Sequence, residues 1–303
     1  MDKLVLYSKF EAMLRNKIVL LEDKPEESID ATIRALWHMA AGNPVSVELA
    51  QILDLPELTE NEIDDLKVII DRRISGEPLT HITNRQQFMG IEFFVSSEAL
   101  VPRKETELLG YGALEILNKC VAKNGSAKVI DVCTGSGNLA LALAHHQKKA
   151  EVYASDLSSE AIKLAERNSK HMDLHDRVKF HDGDLLAAFE SDKYYKNIDL
   201  LTCNPPYISS GKLEDMPKEI IGFEPSLAFD GGPFGIKILA RLINEAPKFL
   251  VENGWLAFEV GLGQGKSMLK RLERNKNYNE LMALEDGNGE IRAIMAQVQH
   301  KLN

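Results

Sequence analysis

Val129-Ile130-Asp131-Val132-Cys133-Thr134-Gly135-Ser136-Gly137-Asn138-Leu139-Ala140 runs from an apolar, β-type stretch through a tight glycine loop into a helical pattern. Glycine has no Cβ, so glycines at 135 and 137 let the backbone approach a ligand closely. The next apolar run, Val152-Tyr153-Ala154-Ser155-Asp156, ends on an acid where a nucleotide-binding βαβ unit holds a ribose. Outward from this pair, strands are expected over 128–133, 151–156, 177–181, 198–203, 255–260 and 291–296. Helical patterns fall between them, over 105–120, 137–147, 158–170 and 235–251. Alternation of this kind implies an α/β fold with a mostly parallel sheet covered on both faces.

The glycine loop alone leaves its ligand open. Gly135-x-Gly137-x-x-Ala140 satisfies the loose dinucleotide fingerprint, so a dehydrogenase is one reading, and a loop without a ligand is another. Two features favour S-adenosylmethionine. Asp131 on the entry strand suits a ligand that bears an amino group and a sulfonium. His181-Asp182-Gly183-Asp184-Leu185, at the end of the third strand, offers a carboxylate for an adenine amine and an apolar side chain for its ring. Asp184 also reads as a helix N-cap.

The fourth strand, Ile198-Asp199-Leu200-Leu201-Thr202-Cys203, runs into Asn204-Pro205-Pro206-Tyr207 and cannot continue. The prolines fix φ, remove two backbone donors and restrict the residues before them. The result is a stiff corner at the carboxyl end of a strand, where open α/β sheets bind ligands. It presents an amide, carbonyls and a ring, which is a grip for a planar NH2 group. An amide or aryl amine is a poor nucleophile that no side chain of ordinary pKa deprotonates beforehand. Its methylation therefore rests on orienting the NH2 by acceptors, here the Asn204 side-chain oxygen and the Pro205 carbonyl, with Tyr207 against the flat group. Hydride transfer has no use for such a corner.

The rest of the chain bounds the reading. It has 303 residues, 44% hydrophobic and 27% charged, the balance of a soluble globular protein. A net charge of −10 argues against a general grip on nucleic acid. Cys120, Cys133 and Cys203 are dispersed, which suits a reducing cytoplasm and gives no metal-site spacing. The start reads as an amphipathic segment and not a signal peptide, and no apolar run approaches the roughly 18 residues that span a bilayer. Residues 1–84 carry helical periodicity: Ile29, Ile33, Leu36 and Trp37 on one face, and Ile63, Leu66, Ile70 and Ile74 on another. Thr59-Glu60-Asn61-Glu62 reads as a capping box. Residues 85–103 read as a β-hairpin linker around Met89-Gly90, and 104–303 as the α/β domain.

Taken together, these motifs resemble the glutamine-N5 methyltransferases of peptide-chain release factors and their relatives that modify a large-subunit ribosomal protein. The resemblance covers essentially the whole chain. It takes in Gly76-Glu77-Pro78-Leu79-Thr80-His81-Ile82, Val101-Pro102-Arg103-Lys104-Glu105-Thr106-Glu107, the glycine loop, Asn204–Tyr207, Phe223-Glu224-Pro225 and Asp230-Gly231-Gly232. It implies a Rossmann-like S-adenosylmethionine-dependent methyltransferase domain behind a small helical substrate-recognition domain. The cofactor would meet Asp131, Cys133, Thr134, Gly135, Ser136, Gly137, Asp156, Asp184, Leu185 and Asn204. The glutamine would meet Asn204, Pro205, Pro206 and Tyr207, with Arg103 and Glu224 nearby. Cys133 is the residue of the ribosomal-protein branch, and Leu185 replaces an aromatic of the release-factor branch. The segment 102–107 follows the release-factor branch, and a release factor is the acceptor expected. The alternatives are a ribosomal protein, adenine-N6 methylation of nucleic acid, and a non-catalytic binding module. The resemblance implies a cytoplasmic monomer that acts on a protein.

Overall fold

The computed structural model describes residues 3–20, 24, 26–211 and 222–300. The described residues divide into two compact units, the first taking those up to Ser97 together with Gly222 and Phe223, the second the remainder from Glu98 onward. The described part of the first unit has five helices: α1 (Lys3–Arg15), α2 (Ile29–Ala40), α3 (Val47–Ile52), α4 (Glu60–Ile74) and α5 (Leu79–Thr83). The periodic faces of α2 and α4 meet in its core, where Ile33, Leu36, Trp37, Leu66 and Ile70 are buried. The Trp37 indole donates to the Pro56 carbonyl at 2.9 Å, so burial leaves no orphaned donor there. The capping box is present: Thr59 accepts from the Glu62 amide while the Glu62 carboxylate accepts from the Thr59 amide at 2.7 Å. Such a cap contributes about 1 kcal/mol.

The hairpin pairs β1 (Arg85–Phe88) with β2 (Ile91–Phe94) through Met89 and Gly90, both at positive φ as a two-residue primed turn requires. It lies within the first unit. Phe88 and Phe93 are fully buried, and Glu92 accepts from the Ser46 amide at 2.6 Å.

The second unit builds a seven-stranded sheet from β3 (Ala127–Val132), β4 (Ala150–Asp156), β5 (Val178–Asp182), β6 (Ile198–Cys203), β7 (Leu250–Glu259), β8 (Tyr278–Glu285) and β9 (Ile291–Val298). The order is β5-β4-β3-β6-β7-β9-β8, parallel except that β9 runs antiparallel to both β7 and β8. Among the described residues its α-helices are α6 (Thr106–Asn124), α7 (Asn138–His146), α8 (Ser159–His171), α9 (Lys237–Glu245) and α10 (Gly265–Glu273). Six of the seven strands lie where the apolar runs predict. The eighth strand of the chain, β8, and helix α10 were not expected. Tyr278-Asn279-Glu280-Leu281-Met282-Ala283-Leu284-Glu285 is an edge strand, largely solvated and rich in helix formers, so its sequence carries little β signal. The helix expected over 235–251 stops at Glu245 because Pro247 follows, and β7 has already begun at Leu250.

This order positions the site. From β3 the chain winds through β4 and β5 to one side, then returns to β6 on the other. The register Val132↔Cys203 sets the exits of β3 and β6 side by side. Between them lies the topological switch point, where ligands bind to open α/β sheets.

Candidate active site

A cavity opens at this switch point, lined by Cys133, Thr134 and Gly135 from the β3 exit and Asp156 from β4. Asp184 and Leu185 follow β5, and Asn204 and Pro206 follow β6. Pro102, Arg103 and Thr106 complete the wall in front of α6.

The glycine loop is anchored from below. Asp131 is fully buried and is not part of the cavity wall. It accepts from the Thr134 hydroxyl at 2.5 Å and the Thr202 hydroxyl at 2.6 Å, tying the loop to both central strands. Burial pushes its carboxyl up to about 6 even against these two hydrogen bonds. The expected ligand acid is thus placed as a loop anchor. Ser136 and Gly137 also lie outside the wall: Ser136 gives its carbonyl to Asn168 Nδ2 at 3.0 Å, and Gly137 is the N-cap of α7. A Cβ on Gly137 would come within 3.0 Å of Ala165.

Asp156 accepts from the Gly135 amide at 2.8 Å and the Ser158 amide at 2.9 Å. A carboxylate has about four lone-pair sites, so Asp156 keeps room to accept from a diol in the cavity. Its pKa is raised by burial and held back by these backbone donors. Asp184 stands at the N-cap of a short 3-10 turn, Leu185–Phe189, yet makes no capping bond. Its Oδ2 instead accepts from Arg241 Nη1 at 2.7 Å. Cys133 (φ 57) and Leu185 (φ 52) hold left-handed backbone that non-glycine residues rarely adopt, and both face the cavity. This conformation explains why glycine suits position 133.

The Asn204–Tyr207 corner is held by remote elements. Asn204 Nδ2 donates to the Thr106 hydroxyl at 3.1 Å, and Gln264 Nε2 donates to the Tyr207 carbonyl at 2.9 Å. The Gln264 side-chain oxygen in turn accepts from the Gly261 amide at 3.0 Å. Three glycines press on the corner. A Cβ on Gly235 would sit 2.1 Å from the Tyr207 carbonyl oxygen, one on Gly231 2.7 Å from the Pro206 carbonyl, and one on Gly261 2.9 Å from the Tyr207 ring. Pro205 and Tyr207 stand outside the cavity wall. The phenol of Tyr207 is pushed up by burial and by the nearby carboxyl of Glu259.

Glu224 is buried, not a solvated carboxylate. Its Oε1 accepts from Arg103 Nη2 at 2.6 Å and its Oε2 from the Val101 amide at 3.1 Å. Both oxygens are engaged, so Glu224 holds Arg103 in the wall instead of facing the cavity. Sequence reasoning missed Gln264, Glu259, Gly235 and Gly261. The one signal for Glu259, Gly261 and Gln264 was the run Phe258-Glu259-Val260-Gly261-Leu262-Gly263-Gln264-Gly265, a strand ending on an acid and then glycines.

Residues 111–226 match the family model described as Methyltransferase small domain. The release factor glutamine methyltransferase of Moorella thermoacetica is 37% identical over 227 residues, which are 75% of this chain and 77% of that protein. The release factor glutamine methyltransferase of Geobacter sulfurreducens is 32% identical over 270 residues, 89% of this chain and 90% of that one. Among solved structures, the N-terminal domain of human METTL16 in complex with SAH matches with a TM-score of 0.51 at 17% identity, covering 70% of this chain and 77% of that chain. That last match is a likeness of fold. The identity to the two bacterial proteins, sustained along most of their length, is kinship: the chain belongs to the release factor glutamine methyltransferase family.

Proposed function

We propose that the protein transfers a methyl group from S-adenosylmethionine to the side-chain amide nitrogen (N5) of a glutamine in a peptide-chain release factor, at its Gly-Gly-Gln loop. One observation carries the reading: the Asn204 amide lines the same cavity as Asp156 and the glycine loop. When bound, S-adenosylmethionine supplies a methyl group on a positively charged sulfur. The wall fits it: Asp156 keeps lone pairs for ribose hydroxyls, Thr134 and Gly135 bring backbone close, and Asp184 with Leu185 offers an acid and an apolar face to adenine.

The chain's own work is to hold the glutamine amide. Asn204 Oδ1 and the Pro205 carbonyl accept the two hydrogens of the incoming NH2 and fix its plane. Positioning and preorganised acceptors suffice, since the amide needs no base before it is methylated. Tyr207 backs the corner, and Glu224 holds Arg103 at the mouth. Among the described residues no helix is long and apolar enough to cross a membrane. On this reading the enzyme works as a monomer in the cytoplasm, and its charge of −10 disfavours nucleic acid as the acceptor.

Incubation with labelled S-adenosylmethionine and three acceptors (release factors, ribosomal subunits and DNA) tests the proposal. Mass spectrometry should place one methyl group on the release-factor glutamine. Label confined to a ribosomal protein or to adenine would overturn it.

A further inference from the structure

Asp184 stands in the N-cap place before the 3-10 turn Leu185–Phe189, yet its side chain makes no bond to that turn. An aspartate in such a place ordinarily folds its carboxylate back onto the amides that follow. Here Arg241 of α9 draws it away. Arg241 Nη1 donates to Asp184 Oδ2 at 2.7 Å, and Nη2 reaches the Asp184 carbonyl at 3.5 Å. Its Nε donates to Glu245 Oε1 at 2.9 Å, so the guanidinium is fixed from two sides. The helix that carries it is anchored by Leu239, Leu242 and Ile243, all buried.

The backbone of this wall is fixed separately. The Ser155 hydroxyl on β4 donates to the Leu185 carbonyl at 2.9 Å. A Cβ on Gly183 would lie 2.7 Å from the Cβ of Ala188, which marks how tightly the turn closes. Gly183, Asp184 and Leu185 all line the cavity. What Arg241 adds to this stretch is the direction of the Asp184 carboxylate.

We propose that Arg241 is a positioning residue for cofactor recognition: it holds the Asp184 carboxylate off its own turn and leaves Oδ1 to accept from the 6-amino group of the adenine. The inference rests on the reading of Asp184 and Leu185 as the adenine wall. The side chains of Arg241 and Asp184 are 42% and 53% exposed. An ion pair so exposed adds little to stability, so its consequence lies in what the carboxylate meets. A carboxylate accepts and does not donate. A 6-amino purine brings it hydrogens, whereas a 6-oxo purine brings it a carbonyl oxygen. Asp184, held in place, therefore selects the amino base.

The test uses the full-length protein and calorimetry with S-adenosylhomocysteine and S-inosylhomocysteine, and it reads the ratio of the two affinities. The wild type should favour the amino compound about tenfold to a hundredfold, the range of one charge-assisted hydrogen bond. Asp184→Asn should remove most of that ratio, because an amide can turn its NH2 to the 6-oxo group. Arg241→Met should lower the ratio about threefold to fivefold, the scale of an exposed ion pair. Arg241→Gln carries the same expectation if the methionine variant does not fold. A ratio left at the wild-type value in the Arg241 variants overturns the proposal. So does an equal fall in affinity for both compounds, which is what a merely structural contact produces. Two failures are distinguishable. A wild type that binds neither compound, or an Asp184→Asn variant as selective as the parent, removes the adenine wall and the proposal with it. Selectivity lost in Asp184→Asn but kept in the Arg241 variants removes the role of Arg241 alone.

Discussion

The two strand exits that meet at the cavity are held in opposite ways. The loop after β3 is anchored largely within its own βαβ unit: Asp131 takes the Thr134 hydroxyl, the Thr134 amide reaches Ser155, and Asp156 takes the Gly135 amide. The corner after β6 is held by residues far away, Thr106 upstream and Gln264, Gly235 and Gly261 downstream. The cause lies in the prolines. Pro205 and Pro206 have no N–H, so the corner cannot close on itself by backbone hydrogen bonds as the glycine loop does. Its shape must be imposed from outside. A βα unit carries its own loop, whereas the substrate grip depends on the whole domain being assembled.

This contrast can be broken at either exit. The largest effect is expected at the corner: Asn204→Ala should lower the rate of methyl transfer about 10²–10³-fold, the cost typical of losing one preorganised polar contact to the reacting group. Affinity for S-adenosylmethionine should change only modestly, and single-turnover assays beside calorimetry separate the two. Unchanged turnover would sink the grip.

Next comes Gly235→Ala. The new Cβ would collide with the Tyr207 carbonyl in backbone of positive φ (67°). Chemical denaturation should show a loss of about 2–3 kcal/mol, with activity lost as the corner moves. A variant as stable and active as the parent would show that the corner is not held by packing from downstream.

At the other exit, Asp156→Ala should weaken cofactor binding about tenfold or more while leaving the corner intact. It also frees the Gly135 and Ser158 amides that Asp156 now accepts from. An unaltered dissociation constant would mean that Asp156 serves the loop alone.

Asp131 offers a pH test of the anchor. Burial raises its carboxyl from 3.8 to about 6. A group whose folded value lies above its unfolded one binds its proton more tightly in the fold. Its contribution to stability is therefore full below pH 3.8 and is lost as pH rises through about 6. Asp131→Asn should flatten this part of the stability profile, measured by denaturant titration at each pH. A profile of unchanged slope would place the titrating group elsewhere.

The smallest effect belongs to Cys133→Gly. It relieves left-handed backbone that costs roughly 1–2 kcal/mol in a non-glycine residue, offset by the lost side-chain contacts. A change in melting temperature of a few degrees at most is expected. A large loss would mean that the Cys133 side chain, and not its backbone, shapes the loop.

The sequence made the glycine loop legible because its determinants are local: the apolar run, Gly135, Gly137 and the acid at the next strand end lie within one βαβ unit. It also marked Asn204–Tyr207, since two prolines after an apolar strand stop it wherever it sits in a sheet. It did not show that Asp131 anchors the glycine loop. Spacing alone cannot say which face of a strand end is buried, and the Thr202 hydroxyl that claims Asp131 comes from a different strand. The place of Glu224 was hidden for the same reason: its partners, Arg103 and Val101, lie far away along the chain.

The amino-acid sequence by itself determined the α/β class, five parallel strands with their helices, and the chemistry on offer at the strand ends, because periodicity and backbone restriction act over a few residues. Tertiary structure alone decided which of those groups reach the cavity and which hold the others in place. Asp131, Glu224 and Gln264 acquire their roles only when segments distant in sequence become neighbours, since a hydrogen bond depends on where two groups lie in space and not on how many residues separate them.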